Sequence, residues 1–324
     1  MHLDISVQAH AAAFLGRRAW EVRDTATLLA DAHRTAWSCY RQRTLLPGND
    51  ALTLEAEAFG ARVRPDPEGD AWTVEAPLLG SLAQAAALPA IDAGAPGLTA
   101  VLGAVEELRA TTSAHVAVPL AGPITLATQL VGHETLVREL HEDPFGSREH
   151  LLAMARKLRP WMEALAAAGA GVVVSDSYSS HDDIEPEVYS GLVAPALAWL
   201  VNEAGVLCGE RPVLAVTGDV TPVAYKLFAA NAGVVVCPPE ARRSRFFPCA
   251  REFPGITVRL DLPASLWKIR DWHEVCQEIA AARAAARHHP NTILGTGPLP
   301  VDASSVLVVD ASHFTASLDE WAEA

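Results

Sequence analysis

From about residue 113 onward the chain repeats one alternation: a short β-branched, apolar run, a polar turn, then an Ala- and Leu-rich stretch with apolar residues at helical spacing. The runs are HVAVPL (115–120), GVVVSD (171–176), PVLAVT (212–217), AGVVVC (232–237), GITVRL (255–260) and NTILG (291–295). They are too short for helices and nearly continuous in apolar character, as strands covered on both faces must be. Helices are expected at 148–168, 187–204, 220–230 and 273–287, each opening near an acid, Ser or Pro. Upstream, TLLADAHRTAWSCYR reads as a helix, TLLP as a further strand and ALTLEAEAFG as the helix after it. Strands that alternate with helices must lie parallel. Their number, close to eight, predicts a (β/α)8 TIM barrel, one domain over residues 1–324 with an amino-terminal helical extension. The segment 64–97, rich in Pro and Gly and without a period, is expected to be an insertion over the barrel.

Composition narrows the function classes. Half of the residues are hydrophobic and the formal charge is −14, so the chain can bury a large core but offers no basic stripe to a phosphate backbone or an anionic bilayer. Nucleic acid and membranes are not expected partners. The first residues carry no basic segment leading into an apolar core, and no uncharged apolar stretch reads as spanning length, so a cytoplasmic location is expected. Five cysteines, none spaced as CxxC, fit reduced thiols.

In a barrel of this kind chemistry gathers at the carboxyl ends of the strands. That places Asp50 and the segments GPITLATQ (122–129), SDSYSSHDD (175–183), TGDVTP (217–222), CPPEARR (237–243), RLDLP (259–263) and GTGPLP (295–300) at one mouth. Asp50, Asp176, Asp219 and Cys237 are the catalytic candidates; Ser177, Gln129, Glu240 and Thr296 are the substrate-binding candidates. Cys237 reads equally as a small residue closing a strand and as a thiolate made reactive by Arg242 or Arg243. Asp219 reads as the cap of the helix after it or as a pocket carboxylate. His181, Asp182 and Asp183 read as a solvated turn. Thr296 offers only a hydroxyl, which either satisfies a carbonyl in the tight turn or sits at the rim of the pocket. Carboxylates crowded in such a pocket would hold at least one of them above the ordinary range unless a cation stands among them.

The segments DALTLEAEAFGARV (50–63), AGPITLATQLVG (121–132), GAGVVVSDSYSS with IEPEVYSGLVAPAL (169–197), LAVTGDVTP (214–222) and LGTGPLP (294–300), in this order, resemble the uroporphyrinogen decarboxylase superfamily. The superfamily holds the porphyrinogen decarboxylases and zinc-dependent methyltransferases that pass methyl groups from corrinoid proteins to thiols such as coenzyme M. The resemblance implies the TIM barrel, a mouth-facing site and a homodimer. It also marks a departure. The decarboxylases have Gly-His-Gly and the methyltransferases Gly-Cys-Gly where this chain has Gly295-Thr296-Gly297, and the methyltransferase His-x-Cys pair falls on Ala215 and Thr217. The family zinc site is therefore expected to be absent. The decarboxylase arginine motif is echoed only by YRQRTLLPG, and the decarboxylase tyrosine falls on Gln129. Asp50 resembles the acid that faces the pyrrole NH groups, and Ser177 the family serine.

These features describe a divergent branch near the corrinoid/coenzyme M methyltransferases. The expected function is methyl or one-carbon group transfer to a small molecule, with a corrinoid-bound methyl donor and a corrinoid protein as the partner implied. A metal-free decarboxylase or lyase using Asp50, and a non-catalytic corrinoid- or tetrapyrrole-binding protein, are the alternatives.

Overall fold

The computed structural model describes residues 3–48, 52–66, 72–176, 184–217, 221–239, 243–268, 271–287, 289–300 and 302–323. Its strands, in chain order, are β1 (Leu3–Ser6), β2 (Thr44–Leu45), β3 (Val63–Pro65), β4 (Trp72–Val74), β5 (His115–Ala121), β6 (Gly171–Asp176), β7 (Val213–Val216), β8 (Val234–Cys237), β9 (Thr257–Asp261) and β10 (Thr292–Pro298). Eight of them form one parallel sheet in the order β1-β10-β9-β8-β7-β6-β5-β2. β1 and β2 meet side by side without a ladder, so the ring is nearly closed and the fold is a (β/α)8 TIM barrel. The expected strands from 115 onward all form, within a few residues of their predicted bounds. The segment after residue 63 contains an antiparallel hairpin, β3 with β4, and the short helix Leu82–Ala87.

One expectation changes at the amino end. The first residues are not a helical extension alone: Leu3–Ser6 is a barrel strand that pairs with β10. The sequence does carry the signal, because Leu3-Asp4-Ile5-Ser6-Val7 alternates apolar and polar with period two. Its shortness and its acid masked it beside the valine-rich strands. This also settles where YRQRTLLPG lies. Arg41 and Arg43 are exposed and precede β2, at the amino face of the barrel and away from the mouth. Arg41 stacks its guanidinium 4.8 Å over the Trp37 ring.

Successive strand residues face opposite sides, and here the two sides differ. The outward set, including Val172, Val174, Val235, Val258, Leu260 and Leu294, joins the main core formed with the helices. The inward set starts with Leu46, Ala117 and Val173, with Val213 against them, a separate apolar cluster inside the ring. A second correction concerns helix Tyr189–Cys208, which is long and apolar enough by length and composition to cross a membrane. Its only acid, Glu203, pairs with Arg159 at 3.3 Å, and Leu197, Leu200 and Val201 are fully buried in the core beside β6, so its apolar face is a barrel wall.

Candidate active site

Of the eight sequence-derived candidates, Asp50, Ser177, Asp219 and Glu240 lie outside the described residues. The other four are placed, and strand parity decides what each can reach.

Asp176 ends β6 with the parity of Val172 and Val174, toward the helix layer. Its Oδ1 accepts hydrogen bonds from the Thr125 backbone N–H at 2.8 Å and the Thr125 hydroxyl at 2.9 Å. Thr125 lies in the first turn of helix Pro123–Val131, whose amide groups have no partner within the helix. Asp176 thus caps that helix from a neighbouring strand. Gly122 makes this close approach feasible, because a Cβ there would come 2.5 Å from the Asp176 carboxyl carbon. Burial pushes the Asp176 carboxyl up from the ordinary 3.8 to about 6, against the downward pull of the Thr125 hydrogen bonds. A carboxyl well above the ordinary range is therefore present, but the cause is desolvation rather than crowding with other acids.

Cys237 is fully buried at the end of β8 and belongs to the outward core, beside Tyr225 of helix Pro222–Asn231. Its thiol makes a long contact, 4.0 Å, to the Pro238 carbonyl. Thr296 is likewise fully buried rather than at a rim. Its hydroxyl accepts from the Ser6 N–H at 3.0 Å and donates to the Gly297 carbonyl at 2.7 Å, while its own carbonyl accepts from the Trp267 indole at 2.8 Å. The hydroxyl thus joins β10 to β1 as acceptor and braces the turn of β10 itself as donor. Gln129 lines a cavity of about 230 Å³ together with Thr53, Thr128 and the hairpin residues 72–77.

The inward face carries groups the sequence reading did not single out. On β9, Arg259 and Asp261 share one face, and the guanidinium grips the carboxylate in a two-point pair, Nε to Oδ1 at 2.8 Å and Nη2 to Oδ2 at 3.1 Å. The third arm reaches Asp4 Oδ2 on β1 at 3.5 Å. Gly295 of β10 lies between these strands; a Cβ there would come 2.0 Å from Asp261 Oδ1, so only glycine admits the pair. The Gly297 N–H, at a φ of +61°, supplies another bond to the Asp261 carboxylate. Burial raises the Asp261 pKa, with Arg259 pulling the other way. Burial also works against the Arg259 charge, but Asp261 and Asp4 outweigh it and hold the guanidinium above its ordinary value.

Further along the strands Asp4, Ser175, Ala215 and Thr217 have inward parity and are partly exposed. Ala215 and Thr217, onto which the resemblance carries two of the zinc-ligand positions, both have this inward parity. A methyl group and a hydroxyl there, with Thr296 committed to the backbone, do not fit that ion. Among the described residues no group of three His, Cys, Asp or Glu side chains could hold a metal.

A family model described as Uroporphyrinogen decarboxylase (URO-D) matches residues 13–237. No curated protein matches the sequence. Among solved structures, a methyltransferase from Methanosarcina mazei superposes with a TM-score of 0.77 at 13% identity, over 98% of this chain and 94% of that one. A B12-independent methionine synthase from Shewanella sp. W3-18-1, in complex with selenomethionine, superposes with a TM-score of 0.53 at 13% identity, over 91% and 89% of the two chains. At such identities the likeness is one of fold.

Proposed function

Because the chain belongs to the uroporphyrinogen decarboxylase (URO-D) family, we propose that it is an enzyme acting on a small molecule at the carboxyl-terminal mouth of its barrel, by transfer of a methyl or other one-carbon group without the zinc of the family's methyltransferases. The observation that carries the reading is the content of the lumen: inward-facing Ala215 and Thr217, where the resemblance would put two zinc ligands, and a fixed guanidinium–carboxylate wall further round the same ring. A zinc-bound acceptor thiol loses its proton to the metal's charge. Without that ion, a side chain must take the proton. Asp4 is placed for the task, since it is the most exposed carboxylate of the wall and Arg259 fixes its position, while both oxygens of Asp261 are held by that guanidinium. In the transfer, the acceptor's lone pair forms the new bond to the methyl carbon and the donor keeps the electron pair of the bond that breaks. The acceptor's proton passes to Asp4.

Decarboxylation of uroporphyrinogen has less support. A substrate rich in carboxylates needs cations with free valence. Among the described residues, Arg23 is tied to Asp24 and Glu57, Arg259 to Asp261 and Asp4, and Arg41 and Arg43 lie at the far face.

The test uses donors carrying a ¹³C-methyl group, a methylated corrinoid and a methylsulfonium, offered with a panel of thiols and amines and followed by ¹³C NMR. A new methyl resonance that is lost in Asp4→Asn is the expected result. Coproporphyrinogen formed from anaerobic uroporphyrinogen, with no methyl transfer from either donor, would overturn the proposal.

A further inference from the structure

We infer that the β1–β9–β10 wall of the lumen binds the ammonium group of an amine substrate, with Asp4 and Ser6 as its direct partners and the apolar cluster receiving the alkyl part; this rests on the reading of the barrel mouth as the substrate site. The first observation is charge. Asp4 and Asp261 bring two negative charges and Arg259 one positive, so the wall carries a formal −1. Arg259 and Asp261 satisfy each other through two bonds, and both are nearly inaccessible. The surplus therefore rests on Asp4, whose side chain is the most exposed of the three, at 19%. A carboxylate in a partly desolvated ring attracts a cation strongly.

The second observation is independent of charge. Ser6 lies two residues along β1 from Asp4, beyond an irregularity in the β1–β10 register, and is 3% exposed; Leu3, Ile5 and Val7 join the outer core, which leaves Asp4 and Ser6 on the inner side of the strand. Its hydroxyl oxygen is buried and has no hydrogen-bond partner. Buried hydroxyls are almost always partnered, so an oxygen left over beside a surplus carboxylate marks the place of a ligand donor. Its backbone N–H is already taken by Thr296, which holds the side chain in register with the lumen. Together the two residues present acceptors to an N–H-bearing cation.

The third observation gives the rest of the molecule. Leu46, Ala117, Val173 and Val213 line the same interior with no polar atom in their side chains. A ligand that satisfies both surfaces is cationic at one end and aliphatic at the other, which is an alkylammonium. A bulky anion is disfavoured by the same −1 wall.

The experiment titrates the full chain at neutral pH with n-butylammonium and, as its uncharged counterpart, n-butanol, by calorimetry. Wild type is expected to bind the ammonium at least tenfold more tightly than the alcohol, with affinity falling as salt rises. Asp4→Asn should remove the tenfold preference. Ser6→Ala, which leaves every ion pair in place, should weaken the ammonium severalfold and the alcohol little, and it still reads the site if Asp4→Asn proves unstable. Equal affinity for the two probes, a preference that survives both substitutions, or no binding of either probe would each overturn the inference. Methyl transfer to a neutral acceptor with no amine preference would sink this inference alone, whereas amine preference without any methyl transfer would sink the reaction and leave the site.

Discussion

The lumen has two halves that obey different physics. On the β2–β5–β6–β7 side, Leu46, Ala117, Val173 and Val213 pack as apolar fillers. On the β1–β9–β10 side, Asp4, Arg259 and Asp261 form an ionic wall seated on Gly295. The division also follows the family resemblance. Every residue of the apolar half falls inside the matched residues 13–237, and every residue of the ionic wall falls outside them. The barrel is complete in both halves, but only the apolar one lies within the residues the family model matches.

The largest expected effect breaks the ionic half. Arg259→Met leaves Asp261 and Asp4 without their shared cation and should destabilise the chain by about 3–5 kcal/mol in urea unfolding. Adding Asp261→Leu to it should recover a large part of that loss, because a paired charge and an apolar pair are of similar stability while a lone buried charge is not. A double variant no more stable than Arg259→Met would count against the pairing.

A second expected effect separates the lumen from the helix layer behind it. For Asp176 the unfolded carboxyl ionises near 3.8 and the folded one only near 6. Between those values the folded state binds the extra proton, so stability falls as pH rises through the window, by ~3 kcal/mol. His33, buried and pushed down to about 4 from 6.5, acts in the opposite sense: its contribution grows as pH rises through the same range. The two trends offset each other in wild type. Asp176→Asn keeps an acceptor for Thr125 and removes one trend, so its stability relative to wild type should grow by ~3 kcal/mol from pH 4 to pH 7. Parallel unfolding curves across that range would contradict the burial of this carboxyl.

Two smaller changes sharpen the contrast. Leu46→Ala in the apolar half should lower stability by about 2–3 kcal/mol through lost burial and a cavity, with no dependence on salt, unlike the wall. Thr296→Val removes the clasp on Ser6 and Gly297 and should lower stability by about 1–2 kcal/mol, and Thr296→Ser should restore most of it. Thermal unfolding in low and high salt measures both.

The barrel itself was legible, because runs such as GVVVSD and AGVVVC leave few structures other than buried parallel strands. The orientation of their last residues was not. A run of valines has no polar alternation from which to count parity, so Asp176 and Cys237 read as mouth residues although both turn toward the helices. The reverse holds for the wall. In TVRLD, two charges at i and i+2 must share a face, and LDISV repeats the pattern, yet these were the strands whose chemistry was passed over. What no local pattern contains is the meeting of Asp4 with Arg259, since it depends on ring closure.

That meeting has a consequence for the order in which the molecule becomes competent. Asp4 and Arg259 are 255 positions apart in sequence, Ser6 and Thr296 290, and β1 is held to the ring by a single ladder, having none with β2. Contacts of such sequence separation carry the greatest loop-closure entropy and form late. The amides of β1, laddered to β10 alone, are expected to exchange with deuterium sooner in the native state than those of the strands paired on both sides. A ligand bridging Asp4 and Ser6 would slow that exchange, so occupancy of the lumen is readable from the protection of this strand alone.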